Sequence, residues 1–255
     1  MTKDDLTVVY YTSNILDREN PVFLANTKKQ LAVALGDLPL VVVSQKPVER
    51  FYNGEWHNVV VGKIGRSHLN LYKQIVTGVA EARTKYVAMA EDDILYSYDH
   101  FHSKEIDKSF ADEGDCFLYD MNKVSLFTWT KMPMFSFRSK RKVVNQLIAP
   151  REYFLEYFND RYRRMAEMIN EGRPVESILH IFGDPGRYDN LFGITPRRMV
   201  EYYCNMPSIV FSHPKAFGYL TQGKRKRLGD IRIIELYGWG RAEEVIKLWG
   251  DTPRE

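Results

Sequence analysis

The hydrophobic pattern of the N-terminal half is one of short, fully apolar or β-branched runs separated by polar turns and amphipathic stretches. Residues 7–11 (Thr-Val-Val-Tyr-Tyr) predict a buried first strand. A polar loop over 12–20 follows, and Pro21 is placed to start a helix running through Lys28 toward Ala34. A second β-branched run lies at 40–44 and a shorter third at 58–61, with Pro47, Asn53 and Gly54 in the loop between them. Ser67 predicts a helix cap, and Leu69, Tyr72, Ile75, Val76 and Val79 fall on one stripe of a helix over 68–83. Another apolar run, 86–90, follows that helix. Strands alternating with helices in this way predict an α/β domain with a mostly parallel sheet covered on both faces.

The second half is less regular. Strands are expected at 116–119, 124–129, 146–149 and 209–212, with a basic connection over 138–145. Residues 151–170 predict a long helix rich in aromatic and basic side chains, and a last helix is expected over 242–249. No internal repeat or low-complexity segment interrupts the chain. The expected organisation is one domain over 1–255, with a ligand-binding half at 5–105 and a second half at 106–255 ending in a basic segment.

The run 86–90 delivers three consecutive carboxylates, Glu91, Asp92 and Asp93, to the point where a strand should end. Adjacent anions repel one another, and ordinary turn chemistry does not ask for three of them. Two explanations are open: a cation or hydroxyl-rich ligand occupies the gap, or the acids form a solvated turn that caps the next helix. In open α/β sheets ligands collect beyond the carboxyl ends of the strands, which is where this triplet falls.

Composition narrows the class. A chain of 255 residues can bury a large core without staples, and its two cysteines, Cys116 and Cys204, lack metal-ligand spacing. The start of the sequence is polar and charged, and no apolar run approaches the length of a membrane span. These features predict a cytoplasmic protein without integral membrane association. The formal net charge of +3 is small but unevenly placed. Arg138, Lys140, Arg141 and Lys142 form one basic cluster, Arg161, Arg163 and Arg164 a second, and Lys224, Arg225, Lys226 and Arg227 a third. Each is either a solvated face or part of a groove for phosphates or a polyanion.

The order of elements, with a second strand ending in Ser44-Gln45-Lys46-Pro47, a helix led by Gly65-Arg66-Ser67 and a strand ending in Glu91-Asp92-Asp93, resembles the nucleotide-sugar-binding half of GT-A glycosyltransferases. The resemblance covers residues 5–105 and extends more loosely to His213. It implies a GT-A-like, Rossmann-type sheet and a metal-dependent transfer of sugar from a nucleotide donor, UDP-sugar favoured, to a hydroxyl acceptor. The triplet stands where the family has its Asp-x-Asp motif. By that resemblance Asp93 coordinates Mn²⁺ or Mg²⁺, Glu91 faces the ribose or the metal's water shell, and Asp92 has a structural place in the donor site. Thr12, Ser13, Asn14 and Arg18 belong to the loop that holds the nucleoside, and Arg66 and Asn70 to base or ribose contacts. His213 completes the metal or diphosphate site, or is a structural histidine. Lys215, Lys224 and Arg225 form a basic flap over the diphosphate.

The acceptor side is read from the segment 182–190. Asp189 is the first expectation for a general base acting on the acceptor hydroxyl, and Asp184 its rival within a strong turn signal. A retaining mechanism needs no such base. The acceptor is a glycan hydroxyl or, given the basic clusters, a hydroxymethylated base in DNA presented single-stranded or flipped out. Two other classes remain. A nucleotidyltransferase shares the plan but normally carries a glycine-rich loop after the first strand, and 12–20 contains no glycine. A non-catalytic nucleic-acid-binding protein uses the basic clusters but leaves the acidic triplet unexplained.

Overall fold

A computed structural model describes residues 1–137, 141–214, 216 and 231–250, the side chain of His180 excepted. The apolar runs of the N-terminal half form β1 (Leu6–Thr12), β2 (Leu40–Ser44), β3 (Trp56–Val60) and β4 (Tyr86–Glu91), all mutually parallel. With β6 (Phe117–Asp120), β9 (Leu147–Pro150) and β10 (Met199–Tyr202) they make a seven-stranded sheet in the order β10-β6-β9-β4-β1-β2-β3. β9 alone runs antiparallel to its neighbours. The result is one mixed α/β domain with a large, mostly parallel sheet flanked by helices, as the alternating pattern predicts.

Strand alternation divides the core into two layers. Leu6, Val8 and Tyr10 of β1 face one side, with Ala88 and Ala90 of β4, against α2 (Pro21–Leu35) and α5 (Lys104–Glu113). Val9 and Tyr11 face the other side, with Val87 and Met89, against α3 (His68–Glu81) and α6 (Arg151–Asn170). The N-terminus of α3 is fixed by Ser67, whose hydroxyl accepts the Asn70 N–H at 3.1 Å, as the sequence predicts. Ahead of α2 the loop 12–20 contains an additional helical turn, α1 (Ile15–Glu19), which lacks the length for a sequence-level signal.

A second sheet was not expected. β5 (Ile94–Leu95), β7 (Lys123–Phe127), β8 (Phe135–Phe137), β11 (Ser208–Ser212) and β12 (Ile231–Ile233) form five strands in the order β12-β8-β7-β11-β5. The C-terminal α9 (Ala242–Val245) and the 3-10 turn Ile246–Trp249 pack on it, burying Leu126, Phe135, Phe211, Val245 and Trp249 together. The chain leaves the first sheet at Glu91 and enters the second at Ile94, so the acidic triplet is the crossing between them. His213 directly follows β11, whose Phe211 N–H donates to Asp93 O at 2.9 Å.

α3 lies unusually close to the sheet at Gly78. A Cβ there would run into Val9 Cγ1 and sit 2.8 Å from Val43 Cγ2. Gly78→Ala should therefore destabilise the fold by about 1–3 kcal/mol through overpacking, despite alanine's higher helix propensity. A urea-unfolding midpoint equal to or above that of the wild type would show that the helix can lift off without cost.

Candidate functional site

The cleft opens where β1 and β4 end. It is lined by Tyr11, Thr12 and Ser13 from β1 and its loop, by Gly65, Arg66 and Ser67 at the start of α3, by Leu71 and Gln74, by the acidic triplet, and by His213 and Ala216. A larger groove of about 710 Å³ runs between α2 and the loop 49–54. That groove contains neither the triplet nor His213, which meet in the smaller cleft.

The three acids have different surroundings. Tyr11 is the register partner of Glu91 across β1 and β4 and donates its hydroxyl to Oε1 at 2.7 Å. Asn145 Nδ2 donates to Oε2 at 2.6 Å. Both oxygens of Glu91 are thus held by the protein, which fixes its position in the cleft lining. Burial, then the charge of Asp93, pushes its carboxyl up to about 8. Asp92 accepts the Thr12 hydroxyl at 2.5 Å, and burial with the neighbouring Asp93 pushes it up to about 6. Asp93 differs: its buried Oδ1 has no partner among the described residues, and its Oδ2 lies 3.3 Å from His213 Nε2. His213 is 2% exposed, with its Nδ1 also unpartnered.

Divalent magnesium and manganese take few carboxylates and complete their shells with water and phosphate oxygens. Among the described residues no group of three or more His, Cys, Asp or Glu side chains forms a protein cage. The unpartnered Asp93 Oδ1, with Oδ2 of the same carboxylate 3.3 Å from His213, nevertheless fits the few protein ligands that such a cation needs.

The expected nucleoside loop is mostly occupied in holding itself. Thr12 Oγ1 donates to Asp92 and accepts the Asn14 N–H. Asn14 is buried in a left-handed conformation, φ 57°. Its Oδ1 accepts the N–H groups of Gln45 and Lys46, at 2.8 and 3.0 Å, and its Nδ2 donates to Asp17. Asn14 therefore ties the β1 loop to the end of β2, a correction to its reading as a donor contact. Asn70 is likewise occupied, donating Nδ2 to Ile64 O. Arg18 points away from the cleft: its side chain is 76% exposed and paired with Glu19. Ser13 and Arg66 do line the cleft. Lys215, Lys224 and Arg225 lie outside the described residues, as do Arg138, Lys140, Lys226 and Arg227.

On the acceptor side the two aspartates separate cleanly. Asp189 is buried, accepts the Tyr157 hydroxyl at 2.6 Å and pairs with Arg161 Nη1 at 2.9 Å. Arg161 is itself fully buried, caged by the rings of Phe192 and Phe182 at 4.5 and 5.0 Å. An acid locked in such a pair cannot meet an acceptor, so the expectation of Asp189 as base is overturned. The same pair removes Arg161 from the supposed basic surface. Arg163 and Arg164 are taken up by Asp160, Glu167 and Glu171 along the helix. Asp184, in the same segment, is less enclosed, its side chain 19% exposed, and it is not among the residues that line the cleft. Its Oδ1 accepts Tyr72 Oη and the Val144 N–H, each at 3.3 Å, and Arg141 Nη2 lies 3.8 Å from Oδ2. Val144 immediately precedes Asn145, the residue that holds Glu91.

Sequence reasoning missed Tyr11, Asn145 and Gln74 as parts of this site. Gln74 Nε2 donates to Thr12 O at 2.8 Å from within α3. A tyrosine next to the carboxyl end of β1 was a usable signal; Asn145 and Gln74 offered none, because their partners are 54 and 62 residues away.

No protein-family model matches this sequence, and no curated protein matches it. Solved structures do. TarS of S. aureus aligns over 84% of this chain and 38% of its own, at 13% identity and a TM-score of 0.47. TarS residues 1–349 in complex with UDP-GlcNAc align over 82% of this chain and 59% of that one, at 10% identity and a TM-score of 0.45. The mannosyltransferase PcManGT from Pyrobaculum calidifontis, in complex with GDP-Man and Mn²⁺, aligns over 87% and 60%, at 15% identity and a TM-score of 0.46. The chain spans less than two thirds of the length of each of these structures.

The raised Glu91 carboxyl makes a pH prediction for the protein without added divalent metal. A folded-state value of about 8, above the ordinary 4.5, means the unfolded chain releases this proton first. Stability from this group is complete below about pH 4.5 and declines as pH rises toward 8. Glu91→Gln keeps an acceptor for Tyr11, and Asn145, whose Oδ1 is unpartnered, can turn its amide to accept from the new one. Relative to wild type in EDTA, the variant should gain at least about 1 kcal/mol between about pH 5 and about pH 8.5. A constant difference in urea-unfolding free energy would show that Glu91 titrates normally.

Proposed function

We propose that this protein is a metal-dependent glycosyltransferase that moves a sugar from a nucleotide-sugar donor to a hydroxyl acceptor. The observation that carries this reading is the meeting of Asp93 and His213, 120 residues apart in sequence, with an unpartnered carboxylate oxygen in a cleft at the carboxyl ends of parallel strands. Ser13 and Arg66 line the same cleft and stand within its reach for the nucleoside and diphosphate. A bound Mn²⁺ or Mg²⁺ supplies neutralisation of the charge that grows on the departing diphosphate. Asp93 and His213 would hold that cation, while Glu91 and Asp92 keep the strand ends in register through Tyr11, Asn145 and Thr12. Asp184 is the base of this reading and takes the hydroxyl proton if transfer inverts the sugar. A glycan and a hydroxymethylated DNA base are both acceptors of this chemistry. UDP-sugar donors are favoured, and a cytoplasmic location suits them.

Donor binding is tested by thermal shift with UDP, GDP, CMP and their common sugar conjugates, each with and without Mn²⁺. A ligand at about 100 times its dissociation constant adds roughly 2.7 kcal/mol. One nucleotide should raise the melting temperature only with Mn²⁺, and Asp93→Asn should remove that rise without lowering the melting temperature of the unliganded protein. A nucleotide response that survives in the variant sinks the metal assignment, and salt-dependent nucleic-acid binding then becomes the reading to test.

Asp184→Asn separates binding from transfer. Nucleoside diphosphate release from the donor should fall about 10²- to 10⁴-fold, with the donor-induced thermal shift unchanged. Full turnover in this variant would assign the chemistry to a retaining mechanism or to another base.

A further inference from the structure

The second sheet ends in a feature that the proposed donor chemistry does not by itself require. The last helical segment brings Trp249 against His213, with ring centroids 4.8 Å apart and planes inclined by 35°. Trp249 is 7% exposed and His213 2% exposed. On its other faces the indole meets Phe23 of α2 at 4.6 Å and Phe211 of β11 at 6.3 Å, the latter nearly parallel. The backbone around it is anchored to the start of α2: Asn20 Nδ2 donates to Trp249 O at 2.6 Å, and Asn26 Nδ2 to Leu248 O at 3.1 Å. Asn20 also caps α2 by accepting the Phe23 N–H, so one residue fixes both the helix that follows the nucleoside loop and the C-terminal segment.

A metal-binding histidine usually has its second ring nitrogen hydrogen-bonded, and that bond sets the orientation of the ring. His213 lacks this: Nδ1 is buried without a partner among the described residues, and so is the indole Nε1 of Trp249. Apart from the 3.3 Å contact of Nε2 with Asp93 Oδ2, the ring is therefore oriented by packing rather than by a hydrogen bond at Nδ1. We propose that Trp249 is the positioning residue for His213, so that the C-terminal segment governs the affinity of the cleft for a divalent cation. This rests on the reading of Asp93 and His213 as the metal site. The face of the indole restrains rotation of the imidazole about its Cβ–Cγ bond, and the Asn20 and Asn26 bonds keep the indole over it.

The test measures Mn²⁺ affinity of the full 255-residue chain by the electron paramagnetic resonance signal of free Mn²⁺, with UDP or GDP present and folding checked by circular dichroism. Trp249→Phe keeps a flat ring over His213, whereas Trp249→Leu keeps apolar bulk in the same core and removes the ring. The leucine variant should bind Mn²⁺ about 10-fold or more weakly than the wild type, in the range seen when an outer partner of a ligand is lost, and the phenylalanine variant within about 3-fold. A merely structural tryptophan would lower the melting temperature of both variants and leave their Mn²⁺ affinities equal, and equal affinities overturn the proposal. His213→Ala distinguishes the two levels. If it binds Mn²⁺ as the wild type does, or if the wild type binds none with either nucleotide, the metal reading itself has failed and the positioning role falls with it.

Discussion

Three adjacent carboxylates are packed into the crossing between two sheets, and the rest of the structure has to keep that arrangement tolerable. Taking charges out of water is costly, and a like-charged neighbour adds to the cost. Each acid is handled differently. Glu91 is gripped on both oxygens by Tyr11 and Asn145, Asp92 accepts from Thr12, and Asp93 turns toward His213. The supports come from β1, from the segment before β9 and from the end of β11. The crossing therefore depends on three regions of the chain being in register at once. Register is also what β1 supplies: a slip of one residue would move Tyr11 from the face of Glu91 to the opposite face.

The walls of the cleft inherit their positions from the same sheet. Asn14 takes a left-handed backbone conformation and binds the N–H groups that follow β2, so the β1 loop cannot swing independently of its neighbour. α3 is drawn down at Gly78 until it touches Val9 and Val43, which places Gln74 against the carbonyl of Thr12 and the helix start with Arg66 at the cleft mouth. The cleft residues are thus tied to rigid elements, as a pre-organised site requires.

The first hundred residues were legible because their signals are local. Buried β-branched runs, a serine before an apolar stripe and an acidic triplet after a strand each report on a few neighbouring positions. β2 runs over Leu40–Ser44 and α6 over Arg151–Asn170, the ranges their patterns predict. The second sheet was harder to read, since β5, β8 and β12 are two or three residues long and exist only by pairing with distant partners. Arg161 shows the limit most clearly. In sequence it sits among basic residues on an amphipathic helix, yet its guanidinium is enclosed by aromatic rings and Asp189, none of them closer than about one helical turn in the chain. That Asp189 is enclosed with Arg161 while Asp184 stays part-exposed was for that reason beyond composition and spacing.

The separation of those two aspartates also explains how a turn-rich segment can be held in one conformation. Arg161 Nη1 binds Asp189 and reaches the carbonyl of Arg187 at 3.3 Å, while Tyr157 accepts the Gly186 N–H at 3.0 Å. Three successive attachments to α6 hold the far end of the segment, and Tyr72 and Val144 hold Asp184 at the near end. The buried pair gives little net stability, because desolvating both charges offsets most of their attraction. Its consequence is geometric. Removing either partner would leave an uncompensated charge among the rings, so the segment has one strongly preferred conformation, and that conformation sets Asp184 beside the residue that positions Glu91. On this argument the Asp189–Arg161 pair inside the helix layer and Asp184 beside Val144 are two ends of one rigid piece, and the buried pair determines where Asp184 stands.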